Sequence, residues 1–233
     1  MSPLTNSQST VLSIGRLSMI PDAAGVLFEP DERLLIVSDL HLEKGSSLAR
    51  RGALLPPYDT RDTLNKLSAV IHRLMPKTLI ALGDTWHDGN GPSRMNDDDH
   101  QLFASLRRKA DWILIAGNHD PNPPQDLGAM VLDEITIGEV TFRHEPLIKK
   151  QSSEIAGHLH PVAKIRARGR SIRRKCFMSD SDRVILPAFG SYTGGLNVLD
   201  SAFNPLFPNR DFLTHMISSN EIFAIGRHSL VGD

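Results

Sequence analysis

Hydrophobic positions along the chain follow two regimes. Between residues 24 and 116, short apolar runs alternate with amphipathic stretches. Residues 24–28 and 33–38 read as strands joined by a turn at Glu29, Pro30 and Asp31. Leu64, Leu67, Ile71 and Leu74 recur at helical spacing across residues 60–74, and Pro76 stops that helix. Residues 77–82 form a buried-type strand. Residues 97–109 form a second helix, with Asp97 and Asp98 where the helix dipole favours negative charge. Residues 111–116 are another apolar strand. A long connection, residues 39–58, carries Gly45, Gly52, Pro56 and Pro57, and a polar loop runs to Arg94. Connections as long as the first are usually functional. The alternation of strand and helix predicts βαβ units and a largely parallel sheet.

Beyond Met130 the pattern is mainly β. Residues 130–132, 135–137, 140–142, 154–156, 162–167, 171–178, 184–187 and 196–199 read as strands, with a hairpin at Gly169-Arg170. Residues 1–10 are polar and rich in Ser and Thr, and are expected to fray. There is no internal repeat or low-complexity linker, so the reading is one domain over residues 1–233.

Composition changes this picture little. Apolar residues make up 40% of the chain, enough for a substantial core, and charged residues 23%. The net charge of −1 means that any polyanion must meet a local patch. The single cysteine, Cys176, excludes an internal disulfide and reads as a buried apolar residue. The start lacks a secretory pattern and no apolar run approaches a membrane span, so a soluble cytoplasmic protein without membrane contact is expected.

The ten histidines change it more, because six lie in or beside short motifs. Five motifs follow predicted strands in order: Asp39-Leu40-His41, Gly83-Asp84, Gly117-Asn118-His119-Asp120, His144 and Gly157-His158-Leu159-His160. In open α/β sheets ligand sites gather at the carboxyl ends of strands, so these loops can converge. Two neighbouring divalent metals need a bridging carboxylate and a mixture of imidazole and oxygen ligands. His41, His144, His158 and His160 supply imidazoles, Asp39 and Asp84 carboxylates, and Asn118 an uncharged carbonyl oxygen.

The ordered set resembles the calcineurin-like metallophosphoesterases over roughly residues 33–200, with Gly117-Asn118-His119-Asp120 its most specific piece. The resemblance implies an α/β fold of two facing mixed β-sheets flanked by helices, a four-layer α/β/β/α sandwich, with a dimetal centre between strand ends. It implies that Asp39, His41 and His160 bind one metal, that Asn118, His144 and His158 bind the other, and that Asp84 bridges them. His119 would protonate the leaving oxygen, oriented by Asp120. The reaction expected is in-line attack on phosphorus by a metal-bridging hydroxide, with Mn²⁺ first and Fe or Zn as alternatives.

A narrower resemblance rests on Asp39-Leu40-His41-Leu42-Glu43-Lys44-Gly45-Ser46-Ser47, Arg51-Gly52, Leu55-Pro56-Pro57-Tyr58-Asp59-Thr60, Arg143-His144-Glu145-Pro146, Gly157-His158-Leu159-His160-Pro161, Arg168-Gly169-Arg170-Ser171 and the run from Leu186 to Asn197. It is to the bacterial ligase-associated DNA-damage-response phosphoesterases, described as endonucleases. It implies a DNA substrate, a role in repair, and DNA ligase or helicase partners.

Substrate contacts are read from basic residues. Seven of them, Lys164, Arg166, Arg168, Arg170, Arg173, Arg174 and Lys175, lie between residues 164 and 175. They form either a phosphate-tracking stripe or a solvated hairpin face. Arg50 and Arg51, after the first motif, are substrate candidates, as are Arg168, Arg170 and Arg173. His87 reads as a ligand or a substrate contact, or, favoured over these, as a residue behind the ligands or at the surface. Three functions stand: a DNA-cleaving phosphodiesterase or endonuclease, a small-substrate phosphomonoesterase or cyclic-nucleotide phosphodiesterase, and a non-catalytic metal-binding scaffold.

Overall fold

The structure, a computed structural model, describes residues 11–53, 55–124, 128–149, 151–167 and 169–233. The expected fraying at residues 1–10 lies outside them, as does Arg168.

The first sheet has seven strands in chain order: β1 (Leu12–Ile14), β2 (Leu17–Asp22), β3 (Val26–Glu29), β4 (Leu34–Ser38), β5 (Thr78–Leu82), β6 (Asp111–Ile115) and β7 (Met130–Leu132). Short turns keep β1 to β4 antiparallel, whereas β4 to β7 are parallel. Parallel pairs need long crossovers. Helices α1 (Lys44–Arg50) and α2 (Asp59–Leu74) carry the chain from β4 to β5, and α3 (Gly91–Arg94) and α4 (Asp97–Arg107) from β5 to β6.

The second sheet contains β8 (Glu134–Ile137), β9 (Val140–Arg143), β10 (Ser153–Ala156), β11 (Val162–Ala167), β12 (Arg170–Ser179), β13 (Arg183–Ile185), β14 (Leu213–Ile217) and β15 (Ile222–Ile225). Its order is β15-β14-β12-β13-β10-β9-β8, with β11 paired to β12. β10 is parallel to both β9 and β13, and the other pairs are antiparallel.

The sheets face each other across one core. Leu27, Ile36, Ile80 and Ile115 of the first meet Phe142, Ile155, Phe177 and Val184 of the second. Because side chains alternate along a strand, Leu35, Val37, Leu79, Ala81 and Leu114 point the other way, onto Leu64, Leu67, Ile71, Phe103 and Leu106 of α2 and α4. Burial on both faces explains why β4, β5 and β6 read as unbroken apolar runs. Over the outer face of the second sheet, a 3-10 turn at Ser201–Phe203 and the residues after it bury Phe203, Leu206, Phe207 and Phe212. The architecture is the expected α/β fold of two facing mixed sheets flanked by helices.

Several predicted elements differ. The 39–58 connection contains α1, whose Gly45 N–H donates to Asp59 Oδ2 at 2.9 Å. Its Gly and Ser content hides it from periodicity. The polar loop before Arg94 likewise holds a short helix. Residues 196–199 are not a strand. Asn197 makes only an isolated bridge to Val162; its side-chain oxygen accepts from Leu199 N, a local turn that competes with a ladder, and its amide donates to the distant Val231 O. β1, β2 and β14 escaped the pattern because polar residues interrupt them, including Thr214 and His215, both buried; β15 is apolar throughout but only four residues long. Cys176 is buried as read, and burial pushes its thiol pKa up. Among the described residues, no helix is long and apolar enough to cross a membrane.

Candidate metal centre

The five motifs sit where the strands end. Asp39 and His41 follow β4, Asp84 follows β5, and Asn118 and His119 follow β6. From the second sheet, His144 follows β9, and His158 and His160 follow β10. Asp39, His41, Asp84, His158 and His160 hold left-handed backbone, with φ of 55°, 45°, 47°, 71° and 48°. Such strain costs on the order of 1–3 kcal/mol per residue and persists only where the surroundings over-determine it. Of the nine described non-glycine residues with positive φ, these five are all predicted ligands. Close packing adds to the constraint. A Cβ on Gly117 would lie 2.2 Å from Asp84 Oδ1, and one on Gly157 would lie 1.8 Å from Ser38 Oγ.

The donor atoms form two groups. In the first, His160 Nε2 lies 3.1 Å from Asp39 Oδ1 and 3.4 Å from His41 Nε2. In the second, Asn118 Oδ1 lies 2.9 Å from His144 Nε2 and 3.0 Å from His158 Nδ1, and the two imidazole nitrogens are 3.2 Å apart. Asp84 joins the groups: Oδ2 is 3.7 Å from His41 Nε2, and Oδ1 is 3.5 Å from His144 Nε2. Ligands bound to one ion at about 2.0–2.2 Å lie roughly 2.8–3.6 Å apart around a tetrahedron or octahedron.

Hydrogen-bond accounting points to cations. His144 Nδ1 donates to the Leu82 carbonyl at 2.9 Å, which leaves Nε2 as a bare lone pair beside the Asn118 oxygen. Asp39 Oδ1 is buried and accepts no hydrogen bond, while Oδ2 accepts from His158 N at 3.0 Å and from Ser38 Oγ. Acceptors converging without protons between them are satisfied by divalent ions, so the residues present fit such a centre.

The electrostatics agree. Burial alone raises the Asp39 carboxyl, but the imidazoles of His160, His144 and His41 hold it well below the usual carboxylate range. Burial pushes His41 down to about 2 and also lowers His158, keeping both neutral, as ligands must be. Burial raises Asp84, and the charge of Asp39 adds to the effect.

His119 stands exposed at the rim beside Asn118, and its N–H donates to Asp84 Oδ1 at 2.9 Å. The expected orientation of its ring by Asp120 is not what the structure shows. His119 Nδ1 is 2.8 Å from the carbonyl oxygen of His87. The Asp120 carboxylate turns inward and accepts from Trp86 N at 3.0 Å, and burial raises its pKa to about 7. The reason is geometric, because the turn after Gly117 sends consecutive side chains in opposite directions, one outward and one into the core.

His87 is half-buried, not a remote surface residue. Its ring stacks on His119 at 4.9 Å, its Nδ1 is 3.4 Å from His41 Nδ1, and burial with Lys44 nearby lowers its pKa to about 4. Arg50 and Arg51 are exposed at the end of α1, and only Arg51 bears on the charge of His87. Arg170 and Arg173 do not share a face. The β11–β12 register places Arg173 with Lys164 and Lys175 with Val162, and the pleat sends Arg170 and Arg174 to the opposite side. Arg173 is also engaged, donating to Gly195 O at 2.8 Å and pairing with Asp233 at 3.3 Å. Sequence reasoning passed over the supports of the site: the Ser38 hydroxyl, and the Leu82 and His87 carbonyls. Backbone carbonyls carry no residue-type signal.

The model of the calcineurin-like phosphoesterase family matches residues 32–204. Among solved structures, nuclease MPE of Pseudomonas putida superposes with a TM-score of 0.72 at 24% identity, covering 92% of this chain and 100% of that one. Yfce, a phosphoesterase from E. coli, aligns with a TM-score of 0.39 at 15% identity over 81% of this chain and 95% of that one. No curated protein sequence matches the chain. With its family model spanning the strands and loops that build the site, the chain belongs to the calcineurin-like phosphoesterases, hydrolases acting on phosphate esters.

Proposed function

We propose that this protein is a dinuclear Mn²⁺-dependent phosphodiesterase that cleaves DNA in repair, as a single cytoplasmic domain. The observation that carries the dinuclear reading is Asp84, whose two oxygens face two separate groups of imidazole and oxygen donors. Asp39, His41 and His160 would hold one ion, Asn118, His144 and His158 the other, with Asp84 shared. Bound divalent ions would supply a water of lowered pKa and offset charge on the phosphoryl oxygens. The chain's own residues do the rest. His119 has its Nδ1–H engaged by the His87 carbonyl, which leaves Nε2 free; in the imidazolium form that nitrogen carries the second proton, hands it to the leaving oxygen and returns to a lone pair.

Support for a polymeric diester comes from the open rim, where Asn118 and His119 are exposed. It also comes from Lys164, Arg166 and Arg173, which share a face with Lys175, whose ammonium reaches Gly190 O beside Asp39. The similarly folded Pseudomonas putida protein carries the word nuclease in its name, and DNA is accordingly the first polymer to test. DNA ligase or helicase partners belong to the same proposal. A small-substrate phosphomonoesterase or cyclic-nucleotide phosphodiesterase is favoured by one observation: Lys164 and Arg173 are both paired with Asp233, which reduces the free charge on the stripe. A scaffold without turnover gives no account of why His119 is held in place by a carbonyl.

The test is an activity screen with added Mn²⁺, comparing defined single- and double-stranded DNA, bis-p-nitrophenyl phosphate, p-nitrophenyl phosphate and cyclic nucleotides. Cleavage of DNA and the bis-ester is expected. Turnover confined to monoesters or cyclic nucleotides would move the second reading ahead.

A further inference from the structure

Residues 186–195, Leu-Pro-Ala-Phe-Gly-Ser-Tyr-Thr-Gly-Gly, supply none of the donors described above, yet two half-buried lysines converge on them. Lys175 of β12 places its ammonium 2.7 Å from Ala188 O, 3.0 Å from Gly190 O and 2.8 Å from Thr193 Oγ1, using all three protons. Lys66 of α2 reaches Phe189 O at 3.3 Å and lies 3.9 Å over the Phe189 ring. Neither forms an ion pair among the described residues, and burial lowers both to about 8. Burying ammonium groups against carbonyl dipoles alone is costly, so their shared target matters.

That target is the backbone of one donor group. Phe189 N–H donates to Ser38 O at 2.8 Å and Gly190 N–H to Asp39 O at 3.1 Å. The approach is so close that a Cβ on Gly190 would lie 2.3 Å from Leu40 O, and one on Gly195 would lie 2.2 Å from His160 O. The loop is thus wedged against the segments that carry Asp39, His41 and His160, three of the left-handed residues. No bond joins it to Asn118, His144 or His158 among the described residues.

We propose that Lys175, assisted by Lys66, is a positioning residue whose ammonium clamps the 188–195 loop onto the Asp39 and His160 segments and so sets the affinity of the Asp39–His41–His160 ion selectively. The proposal rests on the dinuclear reading above. Lys175 touches no substrate and no ligand side chain. It acts through the loop backbone.

Mn²⁺ titration calorimetry on Lys175→Met and wild type, each also in a His144→Ala background that cripples the other donor group, tests this. Partners that orient metal ligands typically contribute roughly 10–100-fold to metal affinity, and a weakening of that order is expected for the Asp39-group ion alone. Turnover of bis-p-nitrophenyl phosphate should recover at saturating Mn²⁺, and Lys175→Arg should restore affinity only in part. Unchanged affinities, or equal weakening of both ions together with a lowered melting temperature, would overturn the clamp. Should Lys175→Met fail to fold, Thr193→Val removes one acceptor and must show the same selective weakening to a smaller extent. Fewer than two ions on wild type would refute the dinuclear reading, and the His144→Ala titration would still decide the clamp by itself.

Discussion

Asp84 presents one oxygen to each donor group, and its backbone neighbourhood is as constrained as its side chain. Removing it takes a ligand from both proposed ions at once. Asp84→Ala is therefore expected to lose both, and metal analysis of the purified variant checks this, with normal loading refuting the bridge. His119 is the complementary case. It donates its backbone N–H to Asp84 but contributes no side-chain atom to either group as assigned. His119→Ala should keep its metals and lose roughly 10²–10⁴-fold in turnover of esters with poor leaving groups, as removal of a general acid does. The loss should shrink for p-nitrophenolate, which hardly needs a proton. Equal losses on both ester types would remove His119 from that role. At this scale the ligand types were legible in sequence, because Asp, His and Asn announce their chemistry. The partner of the His119 ring was not, because it is a backbone carbonyl from a residue 32 positions away.

At the scale of elements, β11 and β12 show what alternation does to a charge run. Seven basic residues within residues 164–175 look like one stripe in sequence. The pleat divides the six that are described: Lys164, Arg166, Arg173 and Lys175 lie on one face, Arg170 and Arg174 on the other, and Lys175 is drawn inward. If the first face tracks a phosphate backbone, Arg166→Glu with Arg173→Glu should weaken DNA binding. Each lost contact should also reduce the log–log salt slope by roughly 0.7–0.9. Arg170→Glu with Arg174→Glu should do much less. Salt-titrated binding measures both, with bis-ester turnover as the folding control, and equal effects from the two pairs would reject the face assignment. Element recognition itself followed burial. β4, β5 and β6, buried on both faces, stood out as apolar runs, while β14 did not, because Thr214 and His215 occupy buried positions there.

The whole molecule carries a pH dependence apart from the metal centre. His215 lies within β14 with Nε2 2.9 Å from Ser179 Oγ, and burial pushes its pKa from 6.5 down to about 4. The unfolded chain therefore binds a proton near pH 6.5 that the folded chain refuses until about pH 4. Stability is full above about pH 6.5 and falls as the pH drops toward 4. At about 1.4 kcal/mol per pH unit, the loss reaches roughly 3 kcal/mol. Urea unfolding of wild type and His215→Gln at pH 7 and pH 4.5 measures this, since the metal ligands titrate alike in both. The wild type should lose more stability between the two pH values, and identical losses would show that His215 is not the group responsible.

Local pattern by itself determined the strand–helix alternation of the first half, the β-rich second half, and the ordered set of ligand residue types, because periodicity and side-chain chemistry are properties of neighbouring positions. The partition of the donors about Asp84 was implied by the family resemblance, whereas the inward turn of Asp120, the split of the basic stripe and the loop held by Lys175 were decided by tertiary structure. Each depends on which distant backbones come within hydrogen-bonding distance. Lys175 and Gly190 illustrate the difference. In sequence they are one more basic residue and one more glycine, and only when β12 is laid beside the loop that follows β13 does an ammonium meet the carbonyls that brace Asp39.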